Sequence, residues 1–230
     1  MAHSIRLLQW NCNGLRAHLN ELKNFLASPQ AEIDILCLEE TFLKKGNRIK
    51  FPGYYVIRKD REESTKGGLI IAIRESINYT EVHDVTTDSY EQHAIKIKTK
   101  NGIITIFNGY IPPDKPSVKS ELEKMFLKGP TIITGDYNAK HPLWGSKQTN
   151  RTGDVFEQLM DQHNYVVVNT GQPTRQDYRG NMSHLDTTFV SKDLGAKCTW
   201  TVLNDCLGSD HLPTITVIGE PLDPARSQDF

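Results

Sequence analysis

No run of apolar residues in this 230-residue chain approaches the roughly 20 that a membrane-crossing helix needs, so no helical span and no membrane partner are expected. Met1 to Arg6 lack the apolar core of a secretory signal, and secretion by that route is not expected either. Cysteine is scarce. Cys12, Cys37, Cys198 and Cys206 lie far apart, without the paired spacing of a zinc site or the density of a disulfide scaffold, and are read as reduced thiols of an intracellular protein. Net charge is nearly absent at −1, which argues against strong sequence-independent attraction to a polyphosphate, because that attraction grows with the number of phosphates neutralised. Local clusters remain at Lys44, Lys45, Arg48 and Lys50 and at Arg58, Lys59 and Arg61, each equally readable as a solvated face. No linker-like stretch or fixed-period repeat divides the chain, so residues 1–230 are read as one domain, with Gly219 to Phe230 a polar, Pro-containing tail like the start of a linker.

What is abundant is short runs rich in Ile, Val and Thr. They fall at Ile5 to Trp10, Ile33 to Leu38, Tyr54 to Ile57, Leu69 to Ile73, Ala94 to Ile97 and Ile103 to Phe107. They continue at Thr131 to Thr134, Tyr165 to Val168, Leu185 to Val190, Cys198 to Leu203 and Ile215 to Ile218. Their length and β-branched content predict strands, several buried on both faces. Helical patterns are few: Leu15, Leu19, Leu22 and Leu26 form one stripe, Phe156, Leu159, Met160 and His163 a second, and Leu122, Met125 and Phe126 a shorter third. So many strands with so few helices suit an α/β four-layer sandwich, two packed sheets flanked by helices.

Several runs end in a carboxylate or carboxamide just past the last apolar residue. Asn11, Glu39-Glu40, Asn108-Gly109-Tyr110, Asp136-Tyr137-Asn138 and Ser209-Asp210-His211 all sit this way. One such residue is usually a turn former, but five termini of a sandwich can meet on one rim. Oxygen ligands without a Cys or His cluster favour Mg²⁺, with Mn²⁺ as a substitute, and Glu40, Asp210 and Asn11 suffice for an ion that keeps several waters. Phosphodiester hydrolysis is the reaction such a site serves best. His211 is the candidate base or phosphate contact, and Asp186, at the start of an apolar run, the carboxylate that holds its imidazole. Taken alone, Ser209-Asp210-His211 reads as a surface turn, Tyr110 as a packing residue and Trp144 as a loop anchor.

Together these residues resemble the endonuclease, exonuclease and phosphatase superfamily, which includes the deoxyribonuclease I fold and the apurinic endonucleases. The resemblance runs through Trp10-Asn11-Cys12-Asn13-Gly14-Leu15-Arg16, Leu38-Glu39-Glu40-Thr41, Asn108-Gly109-Tyr110, Gly135-Asp136-Tyr137-Asn138-Ala139, Leu185-Asp186 and Ser209-Asp210-His211. It implies a two-sheet, mostly antiparallel sandwich, with Asn11, Glu40 and Asp210 at the metal and Tyr110 and Asn138 on the phosphate. It also implies that Asp136 aligns or deprotonates the attacking water and that Asp186 pairs with His211; the general base stays open between Asp136 and His211. Within the superfamily, Gly135 to Ser146, Arg151-Thr152-Gly153, Gln172-Pro173-Thr174-Arg175 and Lys66-Gly67-Gly68-Leu69 resemble the endonuclease domain in the second reading frame of non-LTR retrotransposons. The implied activity is nicking of double-stranded DNA to leave a 3′-hydroxyl for a reverse transcriptase domain of the same protein, with a nuclear location.

Two departures from the repair members bear on specificity. Asn13 stands where they carry Asp, removing one carboxylate beside the metal, and Ser183 stands where a bulky aromatic walls their abasic-sugar pocket. The polar segment Arg175 to Ser183, just before Asp186, is expected to be a hairpin loop entering the minor groove, with Arg16, Arg175, Tyr178, Arg179 and Asn181 as DNA contacts. The rival readings are an apurinic repair-type endonuclease, a phosphatase or phospholipase of the same fold, and a catalytically silent binding module.

Overall fold

The computed structural model describes residues 4–29, 31–61, 66–82, 90–100, 102–115 and 117–219. In chain order the strands are β1 (Ile5–Asn11), β2 (Ile35–Glu39), β3 (Tyr54–Lys59), β4 (Leu69–Arg74), β5 (Tyr79–Val82), β6 (Glu91–Thr99) and β7 (Gly102–Tyr110). They continue with β8 (Thr131–Asp136), β9 (Tyr165–Val167), β10 (Arg175–Gln176), β11 (Met182–Ser183), β12 (Asp186–Ser191), β13 (Cys198–Val202) and β14 (Thr214–Ile218). Helices are α1 (Leu19–Ala27), α2 (Lys119–Leu122), α3 (Arg151–His163) and α4 (Lys192–Gly195). Two six-stranded sheets, ordered β13-β14-β1-β2-β4-β3 and β5-β6-β7-β8-β12-β9, form the sandwich, and β10 and β11 make a separate hairpin.

Each sheet is antiparallel except for one central parallel pair, β1 with β2 and β7 with β8. A parallel pair cannot be closed by a tight turn and needs a crossover. The β1–β2 crossover carries α1 and the β7–β8 crossover carries α2. Three apolar layers result: one under α1, one under α3, and one between the sheets. Because strand side chains alternate, Leu8 and Trp10 of β1 face the α1 layer while Leu7 faces the opposite sheet.

The inter-sheet layer changes character along the strands. Leu7, Ile35, Ile106, Ile132 and Val190 fill one end. Two and four residues further along, in the period-2 register that keeps the same face, stand Gln9 and Asn11, Glu39, Asn108 and Tyr110, and Thr134 and Asp136. The antiparallel β12 runs the other way, so its first residue, Asp186, pairs with Asp136. The sandwich is therefore dry at one end and lined with polar groups at the other.

Several expectations are corrected. The first helix begins at Leu19, not Leu15, because Gly14 takes a left-handed backbone (φ 100°) and a turn follows it; Leu15 is buried at the same phase as the helix stripe. The third helical pattern is α2 followed by one 3₁₀ turn, Glu123–Met125, and Phe126 lies beyond it. Ile33 precedes its strand and Leu185 precedes β12. The short elements β5 and α4 carry too little periodicity to be seen in the sequence. Among the expected tail residues, 220–230 lie outside the described residues.

Trp144 anchors its loop, as expected. It is fully buried, its Nε1 donates to Ala139 O at 3.0 Å, and its ring meets Phe189 edge-on at 5.5 Å. Trp144→Ala is expected to cost about 3–5 kcal/mol and lower the melting temperature by about 10 °C, measured by thermal denaturation.

Candidate active site

The polar end of the sandwich opens into a cavity of about 590 Å³, whose lining includes Glu40, Tyr110, Asp136, Asn138, Asp210 and His211. These residues come from the ends of both parallel pairs and from the loop before β14, so the convergence expected from the strand termini is present. Gly109 and Gly135 face each other across β7 and β8. A side chain on Gly135 (φ 148°) would collide with Gly109 O, and one on Gly109 would meet the Tyr137 ring at 2.6 Å. Only glycines allow this approach, which brings Tyr110 and Asp136 side by side.

Asn11 links the two sheets' acids. Its Nδ2 donates to Glu40 Oε1 at 2.9 Å and Asp136 Oδ2 at 2.8 Å, and its Oδ1 accepts from the Asn13 N–H at 3.1 Å. Glu40 sits just past β2 with a left-handed backbone (φ 47°), an uncommon conformation for glutamate that turns the chain at the pocket rim. Asp210 is gripped by Arg175 Nε at 2.8 Å and by Asn13 Nδ2 at 3.1 Å. Against burial, which would raise it, His211 and Arg175 hold its carboxyl below the ordinary range.

His211 is buried and its Nδ1 pairs with Asp186 Oδ2 at 2.8 Å, while Nε2 stands 3.8 Å from Asp136 Oδ2. Burial alone would depress the imidazole's pKa. The carboxylates of Asp186, Asp136 and Asp210 outweigh it and raise the value to about 9. Asp136 moves up to about 7 through burial, with His211 pulling it down and Asp186 pushing it up. Burial, then Glu40 and Asp136, push the Tyr110 phenol far upward, so it stays protonated and available as a donor.

Asp136, Asp186 and His211 bring ligand atoms within 4.8 Å of one another, a spacing an ion could use. Their burial argues otherwise: Asp136, Asp186 and His211 are all buried, whereas an ion that keeps several waters suits the partly exposed Glu40 and Asp210. The trio is arranged to hold and move a proton, and the acids that could donate to a cation are those at the rim.

Asn138 lines the pocket, but its Nδ2 donates to Ile111 O at 2.9 Å and its N–H to Asp136 Oδ1 at 3.1 Å, so part of its role is to hold Asp136. Asn108 does not reach the pocket. Its Nδ2 spans the sandwich to Leu38 O at 3.1 Å and Ile70 O at 3.0 Å, tying the sheets together. Arg16 is exposed and does not line the cavity. Arg58 is spent on Asp60, Asn47 O and Lys44 O, whereas Arg61, from the same basic cluster, lines the pocket beside Lys66.

The segment from Arg175 to Ser183 is a hairpin, β10 with β11, as expected. Tyr178 projects from its tip at 88% exposure with Arg179 stacked 5.1 Å from its ring centroid. Asn181 is committed to the turn, donating from N and Nδ2 to Asp177. All four cysteines are free thiols. Sequence reasoning missed Gln9, Thr174 and Thr214, buried behind the site; Gln9 was signalled only by its place two residues before Asn11 on one strand face.

Comparison with known proteins agrees with this geometry. The family described as "Endonuclease-reverse transcriptase" matches residues 104–215. The RNA-directed DNA polymerase from mobile element jockey of Drosophila melanogaster is 28% identical over 220 residues, 94% of this chain and 24% of that protein. The probable RNA-directed DNA polymerase from transposon X-element of the same species is 29% identical over 93% of this chain and 24% of its own length. The chain thus spans about a quarter of the curated relatives it matches first. Among solved structures, the endonuclease domain of TRAS1, a telomere-specific non-LTR retrotransposon, superposes with a TM-score of 0.79 at 26% identity, covering 94% of this chain and 99% of that one. The AP endonuclease of Leishmania major shares the fold with a TM-score of 0.75 at 16% identity, over 95% and 88% of the two chains. In motif order, sequence and architecture, this chain is similar to the endonuclease domain of a non-LTR retrotransposon and has the fold of the endonuclease/exonuclease/phosphatase superfamily.

Proposed function

We propose that the chain is a divalent-metal-dependent endonuclease that nicks double-stranded DNA and leaves a 3′-hydroxyl to prime reverse transcription. The observation that carries this reading is the meeting of Glu40, Asp136, Asp210 and His211 around one cavity. The donor set suits Mg²⁺ or Mn²⁺: Glu40 and Asp210 offer hard oxygens at the cavity, the buried Asn11 amide, bonded to Glu40, adds a third, and Asp210 is held anionic. Bound there, the ion would polarise a phosphoryl oxygen and offset the charge developing on it.

The chain's own groups supply the rest. Asp136 aligns the attacking water and takes its proton, because its Oδ2 is fixed by Asn11 while facing the cavity. His211 acts as a cation on a non-bridging phosphate oxygen, its Nε2 aimed by the Asp186 bond at Nδ1. The Tyr110 hydroxyl and Asn138 amide complete the phosphate contacts; as the water oxygen bonds to phosphorus the phosphorus–O3′ bond breaks, and O3′ takes a proton from solvent to leave as the 3′-hydroxyl.

Partners follow from the same reading: duplex DNA at the cavity, a reverse transcriptase domain in the full-length protein, and a nuclear location where chromosomal DNA is met. Supercoiled plasmid incubated with Mg²⁺ is expected to relax, and EDTA to prevent it. Release of inorganic phosphate from small phosphoesters without nicking would favour the phosphatase instead.

The exposed pair Tyr178 and Arg179 at the hairpin tip suits insertion into a minor groove, where width and deformability are read. Replacing residues 177–181 by a short Gly-containing turn keeps Arg175 on Asp210. Nick positions on a sequenced duplex are expected to change while the plasmid-nicking rate stays within about threefold. An unchanged pattern would remove the hairpin from target choice.

A further inference from the structure

Behind Asp186 and His211 lies a buried layer that the site chemistry above does not use. Gln9 on β1 is 1% exposed, and its Nε2 donates to Asp186 Oδ1 at 2.9 Å and to Glu39 Oε2 at 2.9 Å. Its Oε1 accepts from Thr214 Oγ1 at 3.0 Å. The orientation of this amide is dictated by its neighbours: turned over, it would press its oxygen against two carboxyl groups. Asp186 is thereby clamped at both oxygens, by Gln9 on Oδ1 and by His211 Nδ1 on Oδ2.

Packing does not explain the layer. The preceding inward residues of the same strands, Leu7, Ile35 and Cys37, are apolar, and apolar side chains at 9 and 39 would continue that core without desolvating an amide and a carboxyl. The sandwich even tolerates Glu39 Oε1 buried without a hydrogen-bond partner among the described residues. A buried polar cluster kept at such a cost needs a use.

We propose that Gln9 is a positioning residue for His211, acting through Asp186: it fixes the plane of that carboxylate, and with it the Nδ1–H hydrogen bond of the ring and the aim of Nε2 into the cavity. Glu39 and Thr214 hold Gln9 in turn. The role in catalysis rests on the nuclease reading, while the role in fixing the imidazole is independent of it.

The test combines plasmid-nicking kinetics with ¹⁵N-histidine NMR of the metal-free protein. In the wild type His211 should show a low-field Nδ1–H resonance bonded to a carboxylate. Gln9→Met keeps the side-chain length and removes both donors; it is expected to weaken or broaden that resonance and to lower kcat about tenfold with KM unchanged. Glu39→Gln preserves an oxygen acceptor for Gln9 and is expected to keep kcat within about twofold and the resonance in place. If Gln9→Met does not fold, Thr214→Val decides, since it deletes only the hydroxyl that orients Gln9; a fall of about threefold in kcat with a shifted resonance is expected. A wild-type resonance and kcat in Gln9→Met, or in Thr214→Val where that variant decides, overturns the proposal. A wild-type chain that nicks no DNA would instead overturn the nuclease reading, and the resonance would still judge Gln9.

Discussion

His211→Ala is expected to slow metal-dependent plasmid nicking by about 10³-fold, because one positioned proton-handling or charge-stabilising group contributes between about 10² and 10⁴. The measurement is the initial rate of supercoiled plasmid loss at saturating Mg²⁺; a residual rate within tenfold of wild type would take His211 out of the chemistry. The same variant carries a pH signature. The imidazole titrates near 9 in the folded chain against an ordinary value of 6.5, so the charged form is favoured by folding. Its stabilisation is complete below about pH 6.5 and is lost as the pH rises through about 9. Asp136, raised from 3.8 to about 7, adds a loss of the same sign over a lower window. Melting of the metal-free wild type should therefore fall between pH 6.5 and 9, and His211→Ala should flatten that decline. A wild-type melting temperature that rose over this interval would contradict the Asp186–His211 pairing.

Glu40→Gln is expected to reduce nicking about 100-fold at fixed Mg²⁺, with part of the loss recovered as the metal concentration is raised. Gln keeps the length of the side chain, and its amide oxygen still accepts from Asn11 Nδ2, so the pocket rim is preserved. Removing one negative charge from the group of Glu39, Glu40, Asp136 and Asp210 should leave the metal-free protein as stable or more so. The check is a metal titration of the nicking rate beside a thermal melt. A wild-type metal dependence in this variant would move the ion away from the rim, toward the trio of Asp136, Asp186 and His211.

The sandwich was legible in the sequence because its strands are short, β-branched and numerous while its helices are few. The site was legible for a related reason. Asn11, Glu40 and Asp136 each follow an apolar run and Asp186 opens one, so strand-end chemistry stood out against buried backgrounds, while Asp210 follows only Leu207-Gly208-Ser209. Their convergence was not readable from the runs alone, because it depends on β1 lying parallel to β2 and β7 to β8, which crossovers decide. The ordered resemblance of the motifs supplied that missing step. Gln9 and Glu39 stayed hidden for the opposite reason: polar residues inside apolar strands look like boundaries until an opposing sheet shows what they bond. Leu15 misled because a turn can place a leucine at a helix's phase without being helical.

The alternation along β1 has a consequence for how this protein loses activity. Leu8 and Trp10 serve one layer and Leu7, Gln9 and Asn11 the other, and Trp10 Nε1 donates to His211 O at 3.1 Å, fastening the histidine loop to the outer layer. Slippage of that strand by a single residue would swap every side chain to the wrong surface at once. Site and core share these strands, so urea is expected to abolish plasmid nicking and tryptophan burial at the same midpoint.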